Sequence, residues 1–484
     1  MVFNRELEAS VLMRVYTLSK VQIVLIIIFM ILSFLLALII GLNGPKIIHQ
    51  EIQNAEDIKD YNGTLEIRFH TPELTTMEQD LWTNLKIIRK DYNQNLGTLF
   101  FSKAIWINFI VFSRIGDEKN FSHRKTFEKL THIECYDGDC NEISLLHFTP
   151  LNESIYRINM YIQGLPEEIL KLDKIKILFT RYSVEFARFE IWSRMISLIF
   201  LVGFTIYFLK TMNNFSLEDW TIEQKWIIIL LPLMILFDNP FYAVNFLILS
   251  WIPRFIDAFF QVTFLTCLLL FWLCVFHGIR TDNRNFLSFY LPKILVVSPM
   301  WFATISFIGF KLKREFNDPM FEIVSNLSLI YAMKTIFSLS AIVYIIVLLL
   351  LFIRVLSYVQ LLPYFNIRLY VFSSLAMVVI VVCLSSIAIR FGIHEYMMNN
   401  NTNHNSSSGY RSSIEISLVY MTLNAYMASL VIIYSPSNNA KTDSFTHDNP
   451  SISMVNGQDD QILFRKYKFW LIIPAPIVLT MDSR

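Results

Sequence analysis

The chain has 484 residues, of which 54% are hydrophobic and 17% charged, and its formal net charge is +1; its mean hydropathy is +0.46. Soluble domains carry about 25% charged residues and nucleic-acid binders need a basic face, so composition excludes both classes. Only 13 glycines occur, none as G-x-G, which removes dinucleotide and phosphate-binding loops.

A helix needs about 20 apolar residues to cross a bilayer. Val21–Leu42 is the first such stretch and reads as a retained signal-anchor, since no A-x-A cleavage site follows it before Asn43. Next comes a polar interval, Lys46–Glu190. Within it Leu65–His70, Leu99–Arg114, His132–Cys135, Glu142–Phe148, Ile155–Gln163 and Ile175–Phe189 are rich in Ile, Phe, Thr and Tyr, and several alternate apolar with polar. They predict six strands of an antiparallel β-sandwich. Cys135-Tyr-Asp-Gly-Asp-Cys140 carries a turn signal at Asp137-Gly138. A disulfide across it suits an oxidising lumen, two free thiols are the alternative, and a metal site lacks a second pair.

Seven apolar stretches follow: Ile191–Leu209, Trp226–Phe237, Ile256–Phe276, Ile294–Phe310, Ile336–Ile353, Leu369–Ala388 and Ile414–Tyr434. The plan is a cytosolic segment 1–20, a helix 21–42, a lumenal or extracellular β-domain 43–190, a seven-helix domain 191–434 and a cytosolic tail 435–484. Basic residues in the short loops lean this way, eleven on the cytosolic side against seven opposite. The sequons agree: Asn62, Asn120, Asn152, Asn326, Asn400 and Asn405 fall on the lumenal side as candidate glycosylation sites, and only Asn214 on the cytosolic one.

Between the second and third of these stretches the local signals are dense. Ser216-Leu-Glu-Asp219 has the form of a capping box, which predicts a helix from Leu217 through Trp226 to Phe237, bent by Pro232. Asp238-Asn239-Pro240 predicts a helix restart, and Phe241–Trp251 is apolar but too short to span. A re-entrant or interfacial segment and a plain aromatic loop are the two readings. Cys267, Cys274 and His277 share a helix face, where packing outweighs a soft-metal site. No H-E-x-x-H or G-x-S-x-G occurs, and paired intramembrane carboxylates are not evident, so neither an enzyme nor a cofactor is expected. Tyr358-Val-Gln-Leu361 and Tyr364-Phe-Asn-Ile367 have the form read by trafficking adaptors, although packing explains them better.

Glu218-Asp-Trp-Thr-Ile-Glu-Gln-Lys-Trp226, Asp238-Asn-Pro-Phe241 and Phe271-Trp-Leu-Cys-Val-Phe-His-Gly-Ile-Arg280 resemble the transmembrane protein 181 family, as do Arg14-Val-Tyr-Thr-Leu-Ser-Lys20 and Phe289-Tyr-Leu-Pro-Lys293. The likeness runs from about residue 13 to about 456. More distantly the family is similar to Wntless, the carrier of lipid-modified Wnt proteins, with a GOLD-like lumenal β-sandwich ahead of seven helices. One departure is the apolar end Phe469–Leu479, where the family implies a polar acidic tail. The resemblance implies a cargo or sorting receptor of the secretory route or cell surface, in the Golgi, endosome or plasma membrane. Its expected partners are membrane lipids, secreted or lipid-modified proteins and trafficking adaptors. An orphan surface receptor resembling G-protein-coupled receptors is the second reading, and the family's link to bacterial toxin action fits surface exposure. The likeness to Wntless also implies an apolar groove open to lipid between the helices of Ile256–Phe276 and Ile294–Phe310, with Phe260, Phe264, Cys267, Phe271, Trp301, Thr304 and Phe307 as its walls. Its lumenal mouth is expected near Trp251, Pro253, Arg254 and Asp257.

Overall fold

The computed structural model describes residues 13–437 except 56, 62–63, 89–100, 115–121, 137–138, 152, 165–173, 217–219, 279–284, 322–326, 360–365 and 391–411. All six sequons expected on the lumenal side, the Asp137-Gly138 turn, Tyr364 and the apolar stretch at 469–479 therefore lie outside the described residues.

Ten strands make the β-domain: β1 Ile48–Asn54, β2 Asp57–Tyr61, β3 Thr64–His70, β4 Leu81–Ile88, β5 Phe101–Arg114, β6 Ser122–Tyr136, β7 Asp139–Cys140, β8 Ile143–Phe148, β9 Ile155–Gln163 and β10 Lys174–Tyr182. Every pairing is antiparallel. One layer runs β1-β10-β4-β8 and the other β6-β5-β9-β3-β2, with short β7 bridging β4 and β6. Alternation builds the core between them. In β9, Tyr156, Ile158, Met160 and Ile162 are buried while their neighbours are not. Ile67 and Phe69 of β3 meet Ile177 and Phe179 of β10 in one cluster, with the Phe69 and Phe179 rings 5.9 Å apart. Cys135 and Cys140 face each other across β6 and β7 and are joined as a disulfide.

Four strands, β1, β2, β4 and the two-residue β7, lie outside the six that the sequence predicts. β1 and β2 are the outer edges of the two layers, so their sequences lack an apolar face, and Leu81–Ile88 does not keep a simple alternation. The first half of β6 is polar because its partner, β5, supplies the buried side. The expected strand Ile175–Phe189 is corrected: it stops at Tyr182, and a helix starts at Val184 with Glu185 in its first turn.

Eight long helices follow the hydropathy plan: α1 Lys20–Leu42, α2 Val184–Met212, α3 Ile222–Asp238, α4 Ile252–Gly278, α5 Leu291–Asn317, α6 Leu327–Val359, α7 Asn366–Arg390 and α8 Ser413–Tyr434. α4 and α8 are the most buried, while α1, α2 and α6 expose broad apolar faces. Thr221 and Gln224 form the capping box that starts α3, so the expected start at Leu217 is corrected to Ile222. The expected restart after Asp238 is corrected too. Asn239 ends α3 with φ +49°, and its side chain accepts from Phe241 N at 3.1 Å, an Asx turn that redirects the chain. Only a 3₁₀ turn, Tyr242–Phe246, forms before α4.

The β-domain is tied to one end of the bundle. β1 leaves α1 and pairs with β10, which leads into α2, and Ser183 N donates to Ile47 O at 2.8 Å. α1 also lies against α8: a Cβ at Gly41 would overlap the Ile414 backbone, and the Ser413 hydroxyl donates to Pro45 O. At the far end Met13 bridges Pro436, Arg14 N donates to Ser435 O at 2.9 Å, and Gln224 Nε2 donates to Tyr434 O at 3.0 Å. Both ends of the described chain thus emerge opposite the β-domain.

Candidate functional site

Where the β-domain meets the bundle, helix ends carry a buried polar cluster. On α2, Glu190 and Arg194 stand one turn apart on the same face. Arg194, 2% exposed, donates to Glu190 Oε1 at 2.6 Å and to both carboxylate oxygens of Asp257 on α4, at 2.7 and 3.2 Å. The Tyr242 hydroxyl donates to Glu190 Oε2 at 2.7 Å, and the Arg194 guanidinium lies 3.7 Å over the Tyr242 ring. Asn239 and Gln261 donate to Asp257 at 2.8 and 2.9 Å. Gln261 Nε2 also donates to the Tyr420 hydroxyl on α8 at 3.0 Å. Four elements of the bundle thus meet on one guanidinium.

A second cluster fastens the β-domain above it. Arg254, in the first turn of α4, donates to Asp80 Oδ1 and Thr149 Oγ1, each at 2.8 Å. His147 Nε2 lies 3.6 Å from the same Asp80 oxygen, and its ring stacks on Trp82 at 4.7 Å. Burial opposes ionisation of Asp80, but the Arg254 guanidinium and His147 outweigh it and hold the carboxyl well below the usual carboxylate range. Met77 packs with Tyr242 and Phe246 beneath. Between the clusters lies a cavity of about 110 Å³, with Asp80, His147, Glu190, Arg194, Arg254 and Asp257 as polar walls and Phe186, Ile308 and Leu312 as apolar ones. Three buried nitrogens of these walls, His147 Nε2, Arg194 Nε and Arg254 Nη2, have no hydrogen-bond partner among the described residues. The walls therefore offer unmet donors, paired charges and an apolar side at once, which is the equipment of a recognition site.

Part of this was legible. Arg254 and Asp257, expected at the mouth of a groove between α4 and α5, line this cavity instead, and Trp251 packs on Phe255 at 5.8 Å. The absence of paired carboxylates expected from the sequence is corrected: Glu190, Asp238 and Asp257 come from three different helices, so no local spacing shows that they converge. Glu190 and Arg194 did carry a signal, the i,i+4 pair, but it straddles the boundary drawn between residues 190 and 191.

The groove expected between α4 and α5 is corrected. Phe264, Phe271, Thr304 and Phe307 are buried in the bundle, and only Phe260, Cys267 and Trp301 are partly exposed. The two helices close on each other because they do find partners: Trp301 Nε1 donates to Thr263 Oγ1 at 3.1 Å, and its ring lies 5.8 Å from Phe259. Phe264 instead meets Phe237 of α3 at 5.1 Å. Cys274 is buried and His277 stacks on Phe289 at 5.1 Å; no group of metal-ligating side chains occurs among the described residues.

Comparison with known proteins agrees with this architecture. A family profile described as the Wntless-like transmembrane domain matches residues 183–438, and one described as the TMEM181 GOLD domain matches 65–182. Human transmembrane protein 181 is 32% identical over 453 residues, 93% of each chain. This chain belongs to the transmembrane protein 181 family. The junction of the two profiles, Tyr182 to Ser183, falls where β10 passes into α2, a few residues before Glu190. In this member of the transmembrane protein 181 family, then, the polar cavity sits between the GOLD domain and the Wntless-like domain.

Proposed function

We propose that the protein is a non-enzymatic cargo or sorting receptor of the secretory route and cell surface, with cytosolic ends and the β-domain in the lumen. Its site is the cavity between β-domain and bundle, where a lumenal segment of a secreted or lipid-modified protein engages. One observation carries the reading: paired charges, apolar walls and unmatched donors converge at the junction of a GOLD domain and a Wntless-like domain. Signalling gains no support from Asn239-Pro-Phe-Tyr242, which has neither the helix position nor the spacing of the N-P-x-x-Y motif of G-protein-coupled receptors, and Asn239 is spent on Asp257 and on the turn. A photoreactive residue placed at Met77 or Asn245, at the rim, should crosslink secreted proteins in cells, and one at exposed Trp192 should not. The same proteins captured from all three positions, or none from the rim, would overturn the proposal.

A further inference from the structure

Asp238, the last residue of α3, is 1% exposed. Asn424 Nδ2 on α8 donates to its Oδ1 at 3.2 Å, and donates also to Tyr420 O at 3.0 Å. The Tyr420 carbonyl fixes which end of the Asn424 amide is nitrogen, since the flipped amide would set its oxygen against an oxygen that can only accept. Two buried oxygens are then left without a donor, Asp238 Oδ2 and Asn424 Oδ1. They belong to the same two side chains. An ionised carboxylate only accepts, whereas a carboxylic acid has one O–H to give. One proton on Asp238 Oδ2, donated to Asn424 Oδ1, satisfies both at once and closes a cyclic amide–acid pair beside the existing N–H···O bond.

We propose that Asp238 and Asn424 form a proton-binding site within the membrane-spanning bundle, whose occupancy locks α3 to α8. The charged and titratable groups of the adjoining cluster, reached through Asn239 and its bond to Asp257, explain why a proton is the ligand. From α2 come Glu190 and Arg194, from α4 Asp257, from the 3₁₀ turn Tyr242 and from α8 Tyr420. Arg194 is already divided between Glu190 and Asp257, so two carboxylates share one cation before Asp238 is counted. No Lys, Arg or His among the described residues forms an ion pair with Asp238. A third carboxylate charge beside a single cation would cost several kcal/mol in this setting. A hard metal cation asks for about six oxygen ligands, and no cluster of three acidic, His or Cys side chains exists among the described residues. A proton needs two oxygens. On the receptor reading above, α3 and α8 stay closed from neutral pH downward, and only loss of this proton frees them from each other.

The test uses the full chain in lipid nanodiscs without cargo, so a failed cargo crosslink leaves it untouched. Infrared spectra at neutral pH should show a carboxylic-acid C=O band that moves when aspartate is carbon-13 labelled and that disappears in Asp238→Asn. In Asn424→Leu the band should shift to higher frequency as the acid loses its hydrogen-bond partner. The labelled spectrum of the unsubstituted chain decides the matter if a variant misfolds. Loss of a carboxylate band in place of an acid band in Asp238→Asn, no labelled acid band in the unsubstituted chain, or an acid band that vanishes when choline is replaced by sodium would each overturn the proposal.

Discussion

Arg194→Met takes the guanidinium from between Glu190 and Asp257, which it holds at 2.6 and 2.7 Å. The two buried carboxylates then keep only Tyr242, Asn239 and Gln261 as donors. Removing one partner of a buried ion pair costs about 3–5 kcal/mol. Here one cation serves two acids, so the cost should lie near the top of that range, ~4 kcal/mol or more. That corresponds to roughly a thousandfold in the unfolding equilibrium, at 1.4 kcal/mol per factor of ten. Replacing a whole buried ion group by uncharged residues of similar volume is often neutral. Adding Glu190→Gln and Asp257→Asn to Arg194→Met should therefore recover most of the loss. The buried thiols of Cys274 and Cys383 give the readout, since a thiol-reactive dye labels them only as the heated protein opens. If Arg194→Met melts with the unsubstituted chain, or if the triple variant melts no higher than the single, the trio is not what holds the helix ends together.

Three further predictions use other parts of the molecule. Gly41→Val should lower the melting temperature through overpacking against Ile414, by about 1–3 kcal/mol, while Gly203→Val should be silent because nothing lies within 4 Å of a Cβ there; equal melting of the two would dismiss the close approach of α1 and α8. Asp80 is held below its ordinary value, so its stabilisation is complete above about pH 3.9 and fades as pH falls through the lower folded value. Asp80→Asn should therefore melt below the unsubstituted chain at neutral pH, with the gap closing in strong acid; a gap that is constant with pH would remove the ionic role of Asp80. Glycans sensitive to endoglycosidase should sit on Asn62, Asn120 or Asn152, and a C-terminal tag should be cleaved by protease in intact microsomes, whereas a protected tag would reverse the orientation.

Hydropathy sees spans because lipid contact demands about 20 apolar residues whatever the tertiary packing. That is why all eight helices were legible. Their ends were not, because an end is decided by capping bonds such as Thr221 with Gln224, and by turns such as that of Asn239 with Phe241. The same limit hid the site. Whether Phe264 faces lipid or Phe237 depends on how α3 and α4 pack, and aromatic composition reads alike in both cases. Arg254 and Asp257 are conspicuous in the sequence because charges at the start of an apolar helix stand out locally, although the groove they were expected to serve is closed. Their partners Asp80 and Arg194 lie 174 and 63 positions away, where only folding brings them together.

The seam between α1 and α8 also sets a clock on biosynthesis. Pro45 and Ser413 are 368 positions apart, yet they bond directly beside the Gly41 contact. At about 5–20 residues per second of synthesis, the first helix waits roughly 20–70 s in the membrane before its partner is made. Through that interval the face of α1 that carries Ile23, Ile26, Met30, Ala37 and Gly41 meets lipid or a holding factor. A chain cut short anywhere before α8 keeps that face open, which gives quality control a single feature by which to tell an unfinished chain from a finished one.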